Sequence, residues 1–216
     1  TDVENFPGFP EGVQGPELVE KSKKQAEKFG ARFKMDIAQS FEEIAGGFEV
    51  ALMGGEKVQT QTLIIATGAS ARWLGIPSEE KYRGRGVTTC ATCDGAFFRE
   101  EEVIVVGGGD SAMEEATFLT RFASKVTIVH RREGFRASKV MYERAASHPN
   151  IEIKTFRQVK RWLSDDNGLT GAIMEDPRDG SIEEISCTGA FIAIGHKPIT
   201  GFLGNQIETD AEGYIV

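Results

Sequence analysis

The sequence predicts an α/β protein in which a βαβ unit continues into an antiparallel β-meander. Three observations carry that expectation. The apolar run at 103–106 meets Gly107-Gly108-Gly109 directly and opens a helical pattern over 110–123. A second strand pattern follows at 125–129. Further on, short alternating segments are punctuated by Asn167-Gly168 and Asp179-Gly180, both turn formers.

In chain order, residues 1–16 are rich in Pro, Gly and Phe and read as an irregular loop. Pro16 suits a first helical position, and 17–29 reads as a helix ended by Gly30, with Leu18, Val19, Ala26 and Phe29 as an imperfect stripe. From residue 31 the pattern shortens. ARFKMDIAQSFEEI, GFEVALM and KVQTQTLIIATG read as three strands split by Gly46-Gly47 and Gly54-Gly55, the last containing a buried strand at 63–66. Residues 69–89, with Gly75, Pro77, Gly84 and Gly86, read as a connecting segment at a domain boundary. After the βαβ unit, a helix is expected at 138–147, stopped before Pro149. Strands are expected at 151–155, 158–163, 170–174 and 181–187, and a final apolar strand at 190–194 ends at Gly195.

The 216 residues suffice for one large domain or two small ones. A net charge of -8 argues against a general nucleic-acid surface. The apolar runs are far too short to span a bilayer, and TDVENFPGFPEG carries no signal-peptide core. Three cysteines make no secreted disulfide framework, so no membrane is expected and the compartment is read as the reduced cytoplasm.

Gly107-Gly108-Gly109-Asp110-Ser111-Ala112 is a G-x-G-x-x-A turn between strand and helix. Bare backbone at 107 and 109 lets the chain turn tightly and approach a pyrophosphate, while Ala112 permits close helix–strand packing. Unpaired N–H groups and the helix dipole favour phosphate charge there. A dinucleotide site for NAD usually ends its second strand in Asp or Glu, which binds the ribose 2′-hydroxyl. Here the strand ends in His130-Arg131-Arg132, with Arg136 one turn away. A guanidinium cluster suits a 2′-phosphate and hence NADP; the competing reading is a solvated basic face. His130 alone is equally well a cap or packing residue.

Cys90-Ala91-Thr92-Cys93 has three readings: half a zinc site, two inert thiols, or a redox dithiol. Cys187, His148 and His196 are too scattered to complete a zinc site, so no metal is expected, and Cys187 is read as an inert strand residue. The polar neighbours Thr88, Thr89, Thr92 and Asp94 disfavour inert thiols. Asp94 is read as a proton shuttle, as a turn cap, or as both. Nicotinamide does not pass hydride directly to a disulfide, so the pairing of these motifs implies a flavin between them.

CATCDGAFF, VGGGDSA, HRRxxFRA, ATGA and AIGHKP, with the opening VENFPGFPEG, together resemble the bacterial-type, low-molecular-weight thioredoxin reductases. The resemblance covers nearly the whole chain. It implies a homodimeric flavoprotein in which an NADPH domain (73–199) is inserted into an FAD domain (1–72 and 200–216). The implied reaction moves electrons from NADPH through FAD and the Cys90–Cys93 disulfide to thioredoxin. By the same resemblance, Cys93 lies against the flavin, Cys90 attacks the thioredoxin disulfide, and Asp94 is the acid/base. Gly107, Gly109, Asp110, Ser111 and Ala112, with Ile194 and Gly195, belong to the NADPH site, and His130, Arg131, Arg132 and Arg136 to its 2′-phosphate end. Asn5, Thr67 and Gly68 fall on the FAD side. Phe97-Phe98 is either part of the thioredoxin-facing surface or plain core packing.

The family's first GxGxxG for FAD and its C-terminal Gly-Asp motif have no counterpart in these residues. The expectation is therefore an incomplete FAD domain that binds FAD weakly or not at all, beside a complete NADPH domain. Two other readings stand beside this one: a non-catalytic NADP-binding fragment, and a related flavoprotein subunit that reduces a peroxiredoxin.

Overall fold

The computed structural model describes residues 2–3, 6–166 and 168–216. Asn5 and Asn167 lie outside the described residues. The chain divides into two compact units, residues 1–67 with 200–216, and residues 68–199.

In the first unit, β1 (Asp2–Val3) pairs antiparallel with β2 (Val13–Gln14). α1 (Gly15–Lys28) follows, with Pro16 in its first turn and Gly30 beyond its end at φ +91. β3 (Ala38–Ile44), β4 (Gly47–Leu52) and β5 (Lys57–Thr60) form an antiparallel sheet in that order. Gly47 is obligatory at its turn, because a Cβ there would lie 2.0 Å from the Thr60 carbonyl oxygen. Two expectations need correction. Residues 31–37 and 61–68 form no strand. The run at 63–66 is not buried either: Ile64 is 89% exposed. A strand exists only with a ladder partner, and no strand among the described residues pairs with this segment.

The second unit matches the expected α/β grammar. β6 (Ala69–Ala71) is followed by α2 (Glu79–Tyr82), β7 (Val87–Thr88), α3 (Ala91–Asp94) and a 3₁₀ turn at Gly95–Phe98. Next come β8 (Glu102–Gly107), α4 (Asp110–Leu119), β9 (Lys125–His130), α5 (Lys139–Ala146) and β10 (Ile151–Thr155). The meander is β11 (Gln158–Ser164), β12 (Leu169–Glu175) and β13 (Ile182–Ser186), after which β14 (Gly189–Ala193) returns. β15 (His196–Pro198) pairs antiparallel with β6. The segment 69–89 is thus more than a connection. Its β7 is an edge strand of the parallel sheet β10-β9-β8-β14-β7, in register with β14. Two residues carry no readable periodicity, so only that pairing reveals the strand.

The parallel sheet is buried on both faces, as crossover helices and a covering meander require. Along β8, Val103 and Val105 face α4 and α5, packing with Ala112, Met113, Ala116, Leu119, Ile128 and Phe191. Ile104 and Val106 face the other way, onto Trp162, Ala172, Met174 and Ile192. This period-two alternation sandwiches the sheet between a helical layer and the meander. Among the described residues, no helix is long and apolar enough to cross a membrane.

Candidate functional site

Cys90 and Cys93 are joined as a disulfide, with Cα atoms 5.3 Å apart. Cys90 leaves β7 two residues after Thr88 and serves as the N-cap of α3, where its sulfur accepts the Cys93 N–H at 3.2 Å. Cys90 is half-buried and Cys93 exposed. The Thr88 hydroxyl accepts the Cys90 N–H at 3.2 Å and donates to the Asp94 carboxylate. Asp94 makes no side-chain cap to the following 3₁₀ turn. Its carboxylate is therefore held beside the disulfide loop by Thr88, a residue whose part in the site no motif announced. Ala91 packs in the helix-side core, and a Cβ on Gly95 would stand 3.0 Å from Leu119, so α3 lies tightly against α4.

The Phe97-Phe98 pair separates. Phe98 meets Phe191 edge to face at 5.4 Å and fills the space over Gly189. Phe97 is 80% exposed.

At the glycine turn the three glycines do different things. A Cβ on Gly107 would lie 2.3 Å from the Ala193 carbonyl oxygen and 2.8 Å from the Ala112 methyl. Gly107 and the fully buried Ala112 therefore let β8, β14 and α4 close on one another. A Cβ on Gly108 would strike the His130 ring at 2.3 Å. Gly109, at φ -102, faces open space. Open backbone at the start of α4, where the first N–H groups lack intrahelical acceptors, fits a pyrophosphate.

The basic loop is tied to this turn. Arg136 and Ala137 both donate backbone N–H groups to the Gly108 carbonyl, at 2.8 and 3.1 Å, and Asp110 accepts from Ser138 N at 2.7 Å. Asp110 is thus a loop anchor. His130 packs on Phe135 at 4.7 Å between centroids, with Nε2 placed 3.1 Å from the Gly134 carbonyl. Burial lowers its pKa, with Arg132 and Arg131 adding to the effect. The ring is packed against Phe135 and tied to the Gly134 carbonyl, so His130 shapes the loop. Arg131, Arg132 and Arg136 are exposed and pair with no carboxylate among the described residues. Ile194 and Gly195 follow β14 next to Gly107, since Ala193 and Gly107 are paired in register. Gly195 has φ +94, and its carbonyl accepts from Arg72 N at 2.9 Å.

Thr67 and Gly68 are exposed, on a segment without regular structure.

Glu115, on α4, escaped sequence reading because it looks like any helix carboxylate. One of its oxygens, Oε2, is buried with no hydrogen-bond partner. Burial, with help from Glu114, pushes its pKa from 4.5 up to about 7. The folded chain then keeps a proton that the unfolded chain releases, so stability falls as pH rises from about 4.5 to about 7. Glu115→Gln is expected to remove that slope. It should gain roughly 1–2 kcal/mol at pH 8, a figure discounted for the group's partial exposure. Thermal unfolding followed at several pH values reads this directly. Parallel wild-type and variant curves would show the carboxyl already ionised.

A family profile described as Pyridine nucleotide-disulphide oxidoreductase matches residues 2–216. The chain is 46% identical over 215 residues to a thioredoxin reductase of Mycolicibacterium smegmatis, covering 100% of this chain and 68% of that protein. It is 44% identical over 218 residues to that of Rickettsia bellii, covering 100% and 70%. Among solved structures, thioredoxin reductase from Streptococcus pyogenes superposes with a TM-score of 0.75 at 41% identity, covering 99% of this chain and 69% of that one. The enzyme from Giardia duodenalis gives 0.78 at 38% identity, with 99% and 70% covered.

Proposed function

Because the chain belongs to the pyridine nucleotide-disulphide oxidoreductase family, we propose that it serves NADPH-dependent reduction of a thioredoxin disulfide. One observation carries the reading. A disulfide and a glycine turn with a tethered basic loop occupy the same compact unit, residues 68–199. That unit is the NADPH domain in this reading. The first unit belongs to the FAD side.

A flavin bound on the FAD side would supply the two-electron relay between the nicotinamide and the Cys90–Cys93 disulfide. Gly109 and the first turn of α4 receive the pyrophosphate, and Arg131, Arg132 and Arg136 receive the 2′-phosphate. Once Cys90 and Cys93 are reduced, the Cys93 N–H aimed at the Cys90 sulfur favours a thiolate there. That thiolate attacks one sulfur of the acceptor disulfide and forms a mixed disulfide. The departing acceptor thiolate takes a proton from solvent, which Asp94, held beside the disulfide loop by Thr88, is placed to relay. Cys93 then attacks Cys90, re-forming the intramolecular disulfide and releasing the reduced acceptor. Phe97 offers the acceptor an exposed apolar contact.

The relatives' names favour thioredoxin over the peroxiredoxin-linked and non-catalytic readings. The test adds the full chain, reduced with dithiothreitol and desalted, to oxidised thioredoxin and counts the thiols that appear on thioredoxin, beside calorimetric titration with NADP⁺ and NAD⁺, so that neither readout depends on FAD. The expected result is transfer of the dithiol's electrons to thioredoxin, read as new thiols on it, and a preference for NADP⁺ of at least about tenfold. Tight NADP⁺ binding without any thiol appearing on thioredoxin would instead establish the non-catalytic reading.

A further inference from the structure

Next to the end of β9, from which the basic loop departs, sits an aromatic residue with a strained backbone. Phe156, immediately after β10, has φ +54. A bulky side chain enters that region only when its surroundings force it there. Three contacts do so. Arg157 N donates to the His130 carbonyl at 3.0 Å, and Arg157 Nη1 donates to the Phe156 carbonyl at 3.0 Å. The Arg178 guanidinium, arriving from the β12–β13 hairpin, lies 3.7 Å from the Phe156 ring centroid.

The buried Asp176 holds both arginines. It accepts from Arg178 Nε and Nη2 at 3.0 and 2.6 Å and from Arg157 Nη1 at 3.3 Å. Arg157 is shared further with Glu183, which also takes Lys154. Its charge is spent inside the cluster. Arg178 is different, since its side chain is 59% exposed and Asp176 is its only ion-pair partner among the described residues. Asp176 first, then Asp179 and Glu133 more weakly, favour its charged form.

Topology explains why these groups meet. β10 and β9 are parallel, with Thr155 opposite His130. The residues after them are therefore neighbours at the C-terminal edge of the sheet, where α/β folds bind ligands. The end of β9 is the position that reads the 2′ substituent of the ribose.

We propose that Arg178 is a specificity-determining residue for NADP, adding a cation to the 2′-phosphate site of the 131–136 loop. The inference rests on the NADPH reading of that loop. Asp176 occupies the Nε–Nη2 edge of the guanidinium and leaves N–H groups at Nη1 for a phosphate oxygen. Phe156 supports one face of the plane, so little side-chain freedom remains to be lost on binding. The strain at Phe156 then has a use: it aims the ring that holds Arg178.

The test titrates the full chain with 2′,5′-ADP and with 5′-AMP, which differ at the 2′ position alone. Arg178→Met is expected to weaken 2′,5′-ADP about tenfold and to leave 5′-AMP within about twofold. Arg178→Lys should recover part of the loss. Phe156→Asn, which accepts positive φ but removes the platform, should fall between. Unchanged 2′,5′-ADP affinity in Arg178→Met, with the wild type still preferring it over 5′-AMP, overturns this inference alone. An equal loss of both ligands makes Arg178 merely structural and overturns it too. A wild type with no preference removes the NADPH reading, and the inference with it.

Discussion

Replacing Cys90 by Ser is expected to abolish thioredoxin reduction, a loss on the order of 10³-fold or more, because a hydroxyl cannot form the mixed disulfide. NADP⁺ affinity should stay near wild type, and thermal stability near that of the wild type with its disulfide reduced. Among the described residues the hydrogen bonds of Cys90 go to Thr88, Thr92, Cys93 and Asp94, away from the glycine turn and the basic loop, and Ser is close in size. Cys93→Ser should be equally inactive in turnover but differ in kind. It keeps the Cys90 sulfur and lacks the thiol that resolves the intermediate. Mixed with oxidised thioredoxin, reduced Cys93→Ser should gain the mass of one thioredoxin, reversible with dithiothreitol. Cys90→Ser should gain none. The exposed position of Cys93 makes the opposite pattern a real competitor. A stable adduct in Cys90→Ser alone would exchange the two roles.

The second large effect separates the glycines. Gly107→Ala places a methyl 2.3 Å from a main-chain oxygen, which no side-chain rotation relieves. Strands β8 and β14 or helix α4 would have to move, at roughly 2–4 kcal/mol, with NADP⁺ binding lost along with the local geometry. Gly109→Ala meets nothing within 4 Å and needs no forbidden backbone angle. Its unfolding free energy should stay within about 0.5 kcal/mol of wild type. The NADP⁺ Kd should nevertheless rise at least about tenfold, because the methyl fills the approach to the backbone. Unfolding curves and titrations on both variants give the comparison. Equal binding by wild type and Gly109→Ala would place the pyrophosphate elsewhere.

Much of the second unit was legible because its signals are local. An apolar strand, a glycine turn and a helix are adjacent in sequence, and the observed β8 and α4 fall within a few residues of expectation. The meander was equally readable from alternation and turn residues. The first unit was less so. Leu63-Ile64-Ile65-Ala66 has the composition of a buried strand, yet burial depends on a neighbour that the run itself does not name. Composition also assigned Gly107 and Gly109 one shared purpose, while packing gives them separate ones.

The sequence alone determined the βαβ order, the Cys-x-x-Cys pair and the cationic end of the second strand, since each is written in contiguous residues. Only the tertiary structure decided that β7 joins the parallel sheet, that Phe98 is core and Phe97 surface, and that Thr88 holds Asp94. It also brought Arg178 beside Phe156 at the edge next to the basic loop. The physical reason is the same in each case. Turn and strand chemistry depends on neighbours along the chain, whereas register, burial and ion pairing depend on groups tens of residues apart that meet only when the sheet closes.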